Sequence, residues 1–278
     1  MIPDLAGDDL PARAVKSCCA KFYASDAARL LLGDSLHPGG RRLTERLGHA
    51  LHLGPADRVL DVACGDGRGA LVLAQTFGCS VVGIDYSETN TRRAAQAAHA
   101  AGMDRRVVFC CGDGEGLPFA VESFSAVVCE CAFCTFPDKP AGAREMRRVL
   151  APGGRLGLSD VTLERPLPPE LGSLAAWVLC IADARRAEDY KAILGEAGFA
   201  EFRQSDHAWA LRETVAEVGR RLMGIELAQG LGVLPGLEWD LEAAKAMTRR
   251  AAQFVEAGGA GYILLSTAVP ATPRFRQR

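Results

Sequence analysis

Short apolar runs alternate with helix-like patterns through the first two thirds of the chain. The run Val59-Leu60-Asp61-Val62-Ala63-Cys64 meets glycines at Gly65, Gly67 and Gly69, and apolar positions then recur at Ala70, Leu71, Leu73, Ala74 and Phe77 at helical spacing, which predicts strand, tight turn and helix. A second strand, Ser80 to Ile84, ends at Asp85, and a third, Val107 to Cys111, ends at Gly112-Asp113. A fourth apolar run, Ala126 to Cys129, leads into Glu130-Cys131-Ala132-Phe133-Cys134. Further on, Arg148-Val149-Leu150-Ala151-Pro152-Gly153-Gly154-Arg155-Leu156 reads as a helix stopped by Pro-Gly-Gly and followed by a strand.

The two ends read differently. Ala14 to Ala50 is mainly helical, broken by the turn Leu36-His37-Pro38-Gly39-Gly40 and resumed by the amphipathic run Leu43, Leu47, Leu51. After a strand near Ala200-Glu201-Phe202-Arg203, helical segments at roughly Ala208 to Leu227 and Leu241 to Glu256 precede the apolar run Tyr262 to Ala268. A connection of that length with its own helices suits a lid or an interaction surface. Leu231 to Trp239, with Pro235, would be its hinge or tip. The expected organisation is a helical cap over residues 1–50, a core over 51–206, a helical insertion over 207–258, a last core strand over 259–270 and a disordered tail over 271–278.

Composition narrows the function classes. The 278 residues are 49% hydrophobic with net charge -2 and no basic stripe, which argues against nucleic-acid and anionic-membrane partners. No apolar leader or bilayer-length run stands out, so a cytoplasmic protein is expected. Ten cysteines in a reducing compartment suggest ligand or redox chemistry, or small buried hydrophobes, more than a disulfide framework.

A Gly-x-Gly-x-Gly turn lets a ligand approach the backbone without a Cβ in the way. Alone it is shared by dinucleotide and adenosyl-methionine enzymes. Asp85, about twenty residues beyond the glycines, is placed to accept from a ribose diol. The Gly112-Asp113 strand end could meet an adenine amino group.

From about Arg58 to Asp160 the chain resembles the class I S-adenosylmethionine-dependent methyltransferases. The resemblance implies an α/β, doubly wound, Rossmann-like sheet in which a seventh, antiparallel strand joins six parallel ones. It also implies that Asp61, Gly65 and Gly67 face the methionine part of the cofactor, Asp85 the ribose and Asp113 the adenine. Ala63, Tyr86, Gly112, Gly114 and Glu130 complete the implied cofactor-binding set.

Glu130-Cys131-Ala132-Phe133-Cys134-Thr135-Phe136-Pro137-Asp138-Lys139 resembles the fourth-strand pattern of the arsenite methyltransferases, and Cys131 falls on their arsenic-binding cysteine. Cys180-Ile181-Ala182-Asp183-Ala184, leading to Ala197-Gly198-Phe199, resembles their second substrate segment, which carries that role to Cys180. Cys18-Cys19 occupies a place similar to the family's adjacent cysteine pair, at a different spacing. The family's cysteine just after the glycine loop is replaced by Ala70. On this resemblance Cys131 and Cys180 hold a trivalent arsenical, a thiol reductant is a partner, and Cys134 is a third sulfur ligand, a resolving thiol or an accident.

Chemistry supports that expectation, because trivalent arsenic binds thiolates and its lone pair can attack a sulfonium methyl without losing a proton. Cys129 is expected to face packing, Cys110 and Cys111 are read as structural, and Cys64 as without a chemical role. A zinc site would need a second pair matched to Cys131-x-x-Cys134, and only Cys18-Cys19 offers one. His37 and Tyr23 are candidate contacts to cofactor or substrate, or ordinary surface and packing residues. Two rival classes stand beside the arsenical one. The first is a methyltransferase of an organic small molecule, by O-, N- or C-methylation; the second is a non-catalytic metalloid-binding protein on a decayed enzyme scaffold.

Overall fold

A computed structural model describes residues 12–33, 35–171, 183–231 and 240–271. Cys180, most of the stretch Leu231 to Trp239 and the tail beyond Ala271 lie outside the described residues.

Seven strands form one sheet in the order β3-β2-β1-β4-β5-β7-β6. They are β1 (Arg58–Val62), β2 (Ser80–Asp85), β3 (Val107–Cys111), β4 (Phe124–Glu130), β5 (Leu150–Leu163), β6 (Ala200–Asp206) and β7 (Ala260–Ala268). β1 pairs in parallel with β2 and β4, β2 with β3, and β4 with β5. β7 runs antiparallel to both β5 and β6, so it is the one reversed strand of the expected sheet. Strand order turns back between β1 and β4, which puts a crevice beyond their carboxyl ends, the usual place for a ligand in an open α/β sheet.

Strand alternation explains the two faces. Leu60, Val62, Val127 and Cys129 pack into one cluster with Met146, Tyr190 and Leu194. Val59, Ala126 and Val128 pack into the other with Leu47, Leu73 and Ala98. The first face is covered by α6 (Lys139–Val149) and α7 (Ala187–Glu196). The second is covered by α3 (Gly40–Ala50), α4 (Arg68–Phe77) and α5 (Glu88–Ala100). Gly157 on β5 lets α3 come close, since a Cβ there would lie 2.7 Å from a Leu47 methyl.

Two helical layers lie over the strand ends. α1 (Ala12–Tyr23) and α2 (Asp26–Leu32) precede the Ser35–Gly39 turn, and α8 (Ala208–Gly230) and α9 (Leu241–Glu256) form the segment between β6 and β7. The inner side of α8 and α9 joins Leu43, Val161 and Tyr262 in a third buried cluster. Among the described residues no helix is long and apolar enough to cross a membrane.

Candidate active site

The crevice is acidic because three strand ends deliver carboxylates to it. Asp61 on β1 is 4% exposed, Asp85 closes β2, and Glu130 closes β4 with 7% of its side chain exposed. A Cβ on Gly69 would lie 3.3 Å from Glu130 Oε2 and 3.7 Å from Asp61 Oδ2, so the first turn of α4 sits against both acids. Burial, then the Glu130 and Asp85 charges, push the Asp61 carboxyl well above the usual carboxylate range. Glu130 Oε2 accepts from Thr44 Oγ1 at 2.9 Å, while Glu130 Oε1 is buried with no hydrogen-bond partner among the described residues.

Asp85 is held by backbone donors. Its Oδ2 accepts from Gly65 N at 2.9 Å and its Oδ1 from Ser87 N at 2.8 Å. Burial raises its pKa, and these hydrogen bonds partly offset that rise. The Gly65–Gly69 turn needs its glycines: Gly67 has φ 80 and a Cβ there would meet Ala94 and Phe109 at 2.6 Å. Burial, together with Asp61 and Asp85, pushes the Cys64 thiol well up, so it keeps its proton.

At the far end of the crevice Asp113 receives Lys16 Nζ from α1 at 2.8 and 3.0 Å, and the same ammonium pairs with Glu115. Burial opposes that charge, but hydrogen bonds to Asp113 and Glu115 outweigh it and hold the Lys16 pKa above its ordinary value. α1 is thereby fastened over the crevice.

The cavity beyond these strand ends is lined by Asp61, Ala63, Gly65, Asp85, Tyr86, Gly112, Asp113, Gly114 and Glu130. Of the expected cofactor set only Gly67 stands behind this wall, packed on Ala94 and Phe109. Sequence reasoning missed Lys16, Asn90 and Phe136 in the lining and Thr44 beneath Glu130. A polar residue beside Leu43 on the buried face of an amphipathic helix was the available signal for Thr44.

A second cavity opens from the first under α8 and α9. Five residues line both: Tyr23, Ser35, Leu36, His37 and Cys131. Beyond that shared wall its lining is Leu32, Val161, Leu211, Val215, Val218, Phe254 and similar side chains, with Thr214 and Thr248 the hydroxyls and no charged residue among those described.

The expected thiols separate. Cys131 follows β4 with φ 52 and donates its N–H to Ser159 O at 2.6 Å. Strict alternation would place it on the same face as Cys129; the left-handed backbone instead carries it into the cavity wall while Cys129 stays in the core. Cys134 lies in a single turn of 3-10 helix (Phe133–Thr135), is 1% exposed in the third cluster, and lines neither cavity. Its N–H donates to Asp160 Oδ2 at 2.9 Å, and the buried Lys139 ammonium donates to its carbonyl at 2.8 Å and to Asp183 at 2.5 Å. Cys19 lines the first cavity, whereas Cys18 does not. Among the described residues no three His, Cys, Asp or Glu side chains converge as metal ligands.

Residues 59–154 match the family model described as a methyltransferase domain. The 27-O-demethylrifamycin SV methyltransferase of Amycolatopsis mediterranei is 31% identical over 262 residues, covering 88% of this chain and 94% of that protein. Methyltransferase GfsG of Streptomyces halstedii is 29% identical over 59% of this chain and 60% of its own length. The arsenite methyltransferase of Halobacterium salinarum is 33% identical, but over 53% of this chain and 38% of its own. Among solved structures the [4+2]-cyclase SpnF superposes with a TM-score of 0.75 at 22% identity, covering 93% of this chain and 97% of that one, which shows the shared fold.

The chain belongs to the class I S-adenosylmethionine-dependent methyltransferases. The crevice suits that methyl donor. Two buried acceptors that line it, Glu130 Oε1 and Asn90 Oδ1, lack partners among the described residues, and the acids face a ligand that brings a sulfonium, an ammonium and several N–H and O–H donors.

Proposed function

We propose that this methyltransferase acts on an apolar organic small molecule that carries an acidic hydroxyl or an activated carbon. The acceptor's body lies in the aliphatic cavity under α8 and α9, and its nucleophile points at the wall shared with the cofactor crevice. The observation that carries this reading is the meeting of an uncharged, aliphatic cavity with an acidic one through Tyr23, Ser35, Leu36, His37 and Cys131. Ligand sites are mostly apolar with a few placed polar groups, and that is the composition here.

Asp61, Asp85 and Glu130 would hold S-adenosylmethionine, which when bound supplies an electrophilic methyl group on a cationic sulfur. The chain's own part is binding, orientation and exclusion of water. Val161, Leu211 and Phe254 remove the acceptor's apolar surface from water at roughly 25 cal/mol per Å². Lys139 fixes the loop after β4, and so the junction, through the Cys134 and Phe136 carbonyls at 2.8 and 3.1 Å. Lys16 closes α1 over Asp113. Positioning of this kind can supply much of a transfer barrier.

The relatives support an organic acceptor. One match over most of both chains is to a protein named for a demethylated rifamycin, and the match to an arsenite methyltransferase spans a smaller part of each. One observation favours an arsenical: Cys131 stands at the junction. The second sulfur assigned by resemblance, Cys180, lies outside the described residues, and Cys134 is buried in the core. Among the described residues Cys131 is the thiol in the wall shared by the two cavities.

The test is methyl-labelled S-adenosylmethionine offered with alpha-naphthol, hexylresorcinol, or arsenite plus glutathione. Label in a methylated naphthol or resorcinol supports the reading. Label in methylated arsenic alone overturns it.

A further inference from the structure

We infer that His37 is the group that takes the acceptor's proton, with Glu130 and Thr44 holding it in place. The inference rests on the aliphatic cavity being the acceptor site. Of the side chains that line both cavities, Tyr23, His37 and Cys131 can exchange a proton. A phenol and a thiol ordinarily keep theirs near neutral pH, whereas an imidazole ordinarily presents a lone pair.

The local fold fixes the ring. Ser35 Oγ donates to His37 O at 2.9 Å and accepts from His37 N at 3.3 Å, which ties the turn between α2 and α3 to itself. Gly39, at φ 75, sits where a Cβ would meet Leu43 at 2.5 Å, so the turn lies flat on α3. The His37 side chain is 14% exposed. Its Nδ1 lies 3.2 Å from Pro38 O. A carbonyl can only accept, so in the neutral ring this contact takes the proton of Nδ1 and leaves Nε2 as the acceptor.

Nε2 lies 3.4 Å from Thr44 Oγ1 and 3.8 Å from Glu130 Oε2. The Thr44 hydroxyl already donates to Glu130 at 2.9 Å, so its hydrogen is directed away from Nε2. Thr44 therefore does not donate to Nε2 in this arrangement, and an imidazolium formed there gains a carboxylate neighbour. Glu130 is thus a positioning residue for His37 as well as part of the crevice wall.

The step balances without a further reactant. The acceptor's O–H or acidic C–H gives its proton to Nε2. The oxygen or carbon forms a bond to the methyl carbon as the carbon–sulfur bond breaks. That bond's electron pair stays on sulfur, which leaves as a neutral thioether, and the imidazolium returns its proton to water after the product departs. Among the described residues the shared wall holds no second base, since Glu130 lines only the crevice side.

The experiment uses the full chain, with alpha-naphthol and hexylresorcinol as acceptors and S-adenosylhomocysteine as the binding probe. His37→Asn and His37→Gln are expected to lower kcat about 100-fold or more, the usual range for a lost general base. Acceptor KM, S-adenosylhomocysteine affinity and melting temperature stay close to the parent, and free imidazole restores turnover to His37→Ala. Independently of turnover, nitrogen-15 histidine spectra of the complex with S-adenosylhomocysteine should show Nε2 of His37 unprotonated and Nδ1 protonated. Variants that keep kcat, a loss of binding that parallels the loss of rate, or a proton on Nε2 would each overturn the proposal. Wild-type protein that binds the cofactor yet methylates neither acceptor overturns the cavity reading itself, and with it this role for His37.

Discussion

Replacing Glu130 by Gln separates charge from shape in the crevice. The amide keeps the length of the side chain and can still accept the Thr44 hydrogen bond that Oε2 takes at 2.9 Å. A single point, the Cβ direction of Gly69, lies 3.3 Å from Glu130 Oε2 and 3.7 Å from Asp61 Oδ2, so those oxygens are at most about 7 Å apart. Two unit charges at that distance repel by roughly 2 kcal/mol at an effective dielectric of about 20. The Glu130 charge is also the second cause, after burial, that holds the Asp61 pKa up. Where both acids are ionised, removing it relieves the unliganded protein; it also deprives a cationic ligand of a similar attraction. Glu130→Gln is therefore expected to raise the melting temperature of the free protein while weakening S-adenosylmethionine binding by up to about 30-fold, the equivalent of roughly 2 kcal/mol. S-adenosylhomocysteine, which lacks the sulfonium charge, should lose less. Calorimetric titration of both ligands and a thermal melt read all three effects. An unchanged S-adenosylmethionine affinity, equal losses for the two ligands, or a less stable free protein would refute the charge argument.

Other consequences can be checked separately. Because the folded Asp61 pKa is raised, its contribution to stability is present below the ordinary carboxylate range and is lost as pH rises through the folded value. A cation in the crevice favours the ionised form, so S-adenosylmethionine binding should release up to one proton in that window; calorimetry in buffers of different ionisation enthalpy measures this, and Asp61→Asn should abolish it. Cys131→Gly should stabilise the fold by about 1 kcal/mol, since glycine tolerates the φ of 52 that costs other residues, as read in urea unfolding. Cys131→Ala should leave naphthol methylation within about tenfold of the parent if no substrate thiolate is needed, whereas dependence of transfer on this sulfur would favour an arsenical. Val215→Glu, on the partly buried wall of the aliphatic cavity, should raise acceptor KM by about tenfold or more and leave cofactor affinity unchanged in the same titration.

What could be read in advance was local. The glycine turn, Asp61, Asp85 and Asp113 announce themselves because each is a strand end or a turn whose chemistry sits within a few residues of its structural cause. The helical pair α8 and α9 was legible from periodicity, but its joint cavity with Val161 and the Ser35–Gly39 turn depends on which elements the sheet brings together. Lys16 reaches Asp113 across 97 positions, and Thr44 reaches Glu130 across 86, distances over which no sequence spacing carries information. The cysteine motif after β4 was visible and its resemblance was specific, yet the backbone sorts its members. The positive φ at Cys131 sends one thiol to the junction, and the 3-10 turn after it leaves Cys134 in the core. A pattern of soft ligands in sequence became one wall residue and packing.

The central claim is that an apolar organic acceptor occupies the cavity under α8 and α9 with its nucleophile at His37 and Cys131. The most direct measurement is a crystal structure of the protein with S-adenosylhomocysteine and alpha-naphthol, paired with a second crystal soaked in arsenite. The account predicts the naphthol ring against Val161, Leu211 and Phe254 with its oxygen beside His37 Nε2, and no ordered arsenic on Cys131. Arsenic bound through Cys131 and a second sulfur, with the aliphatic cavity empty of naphthol, would contradict it.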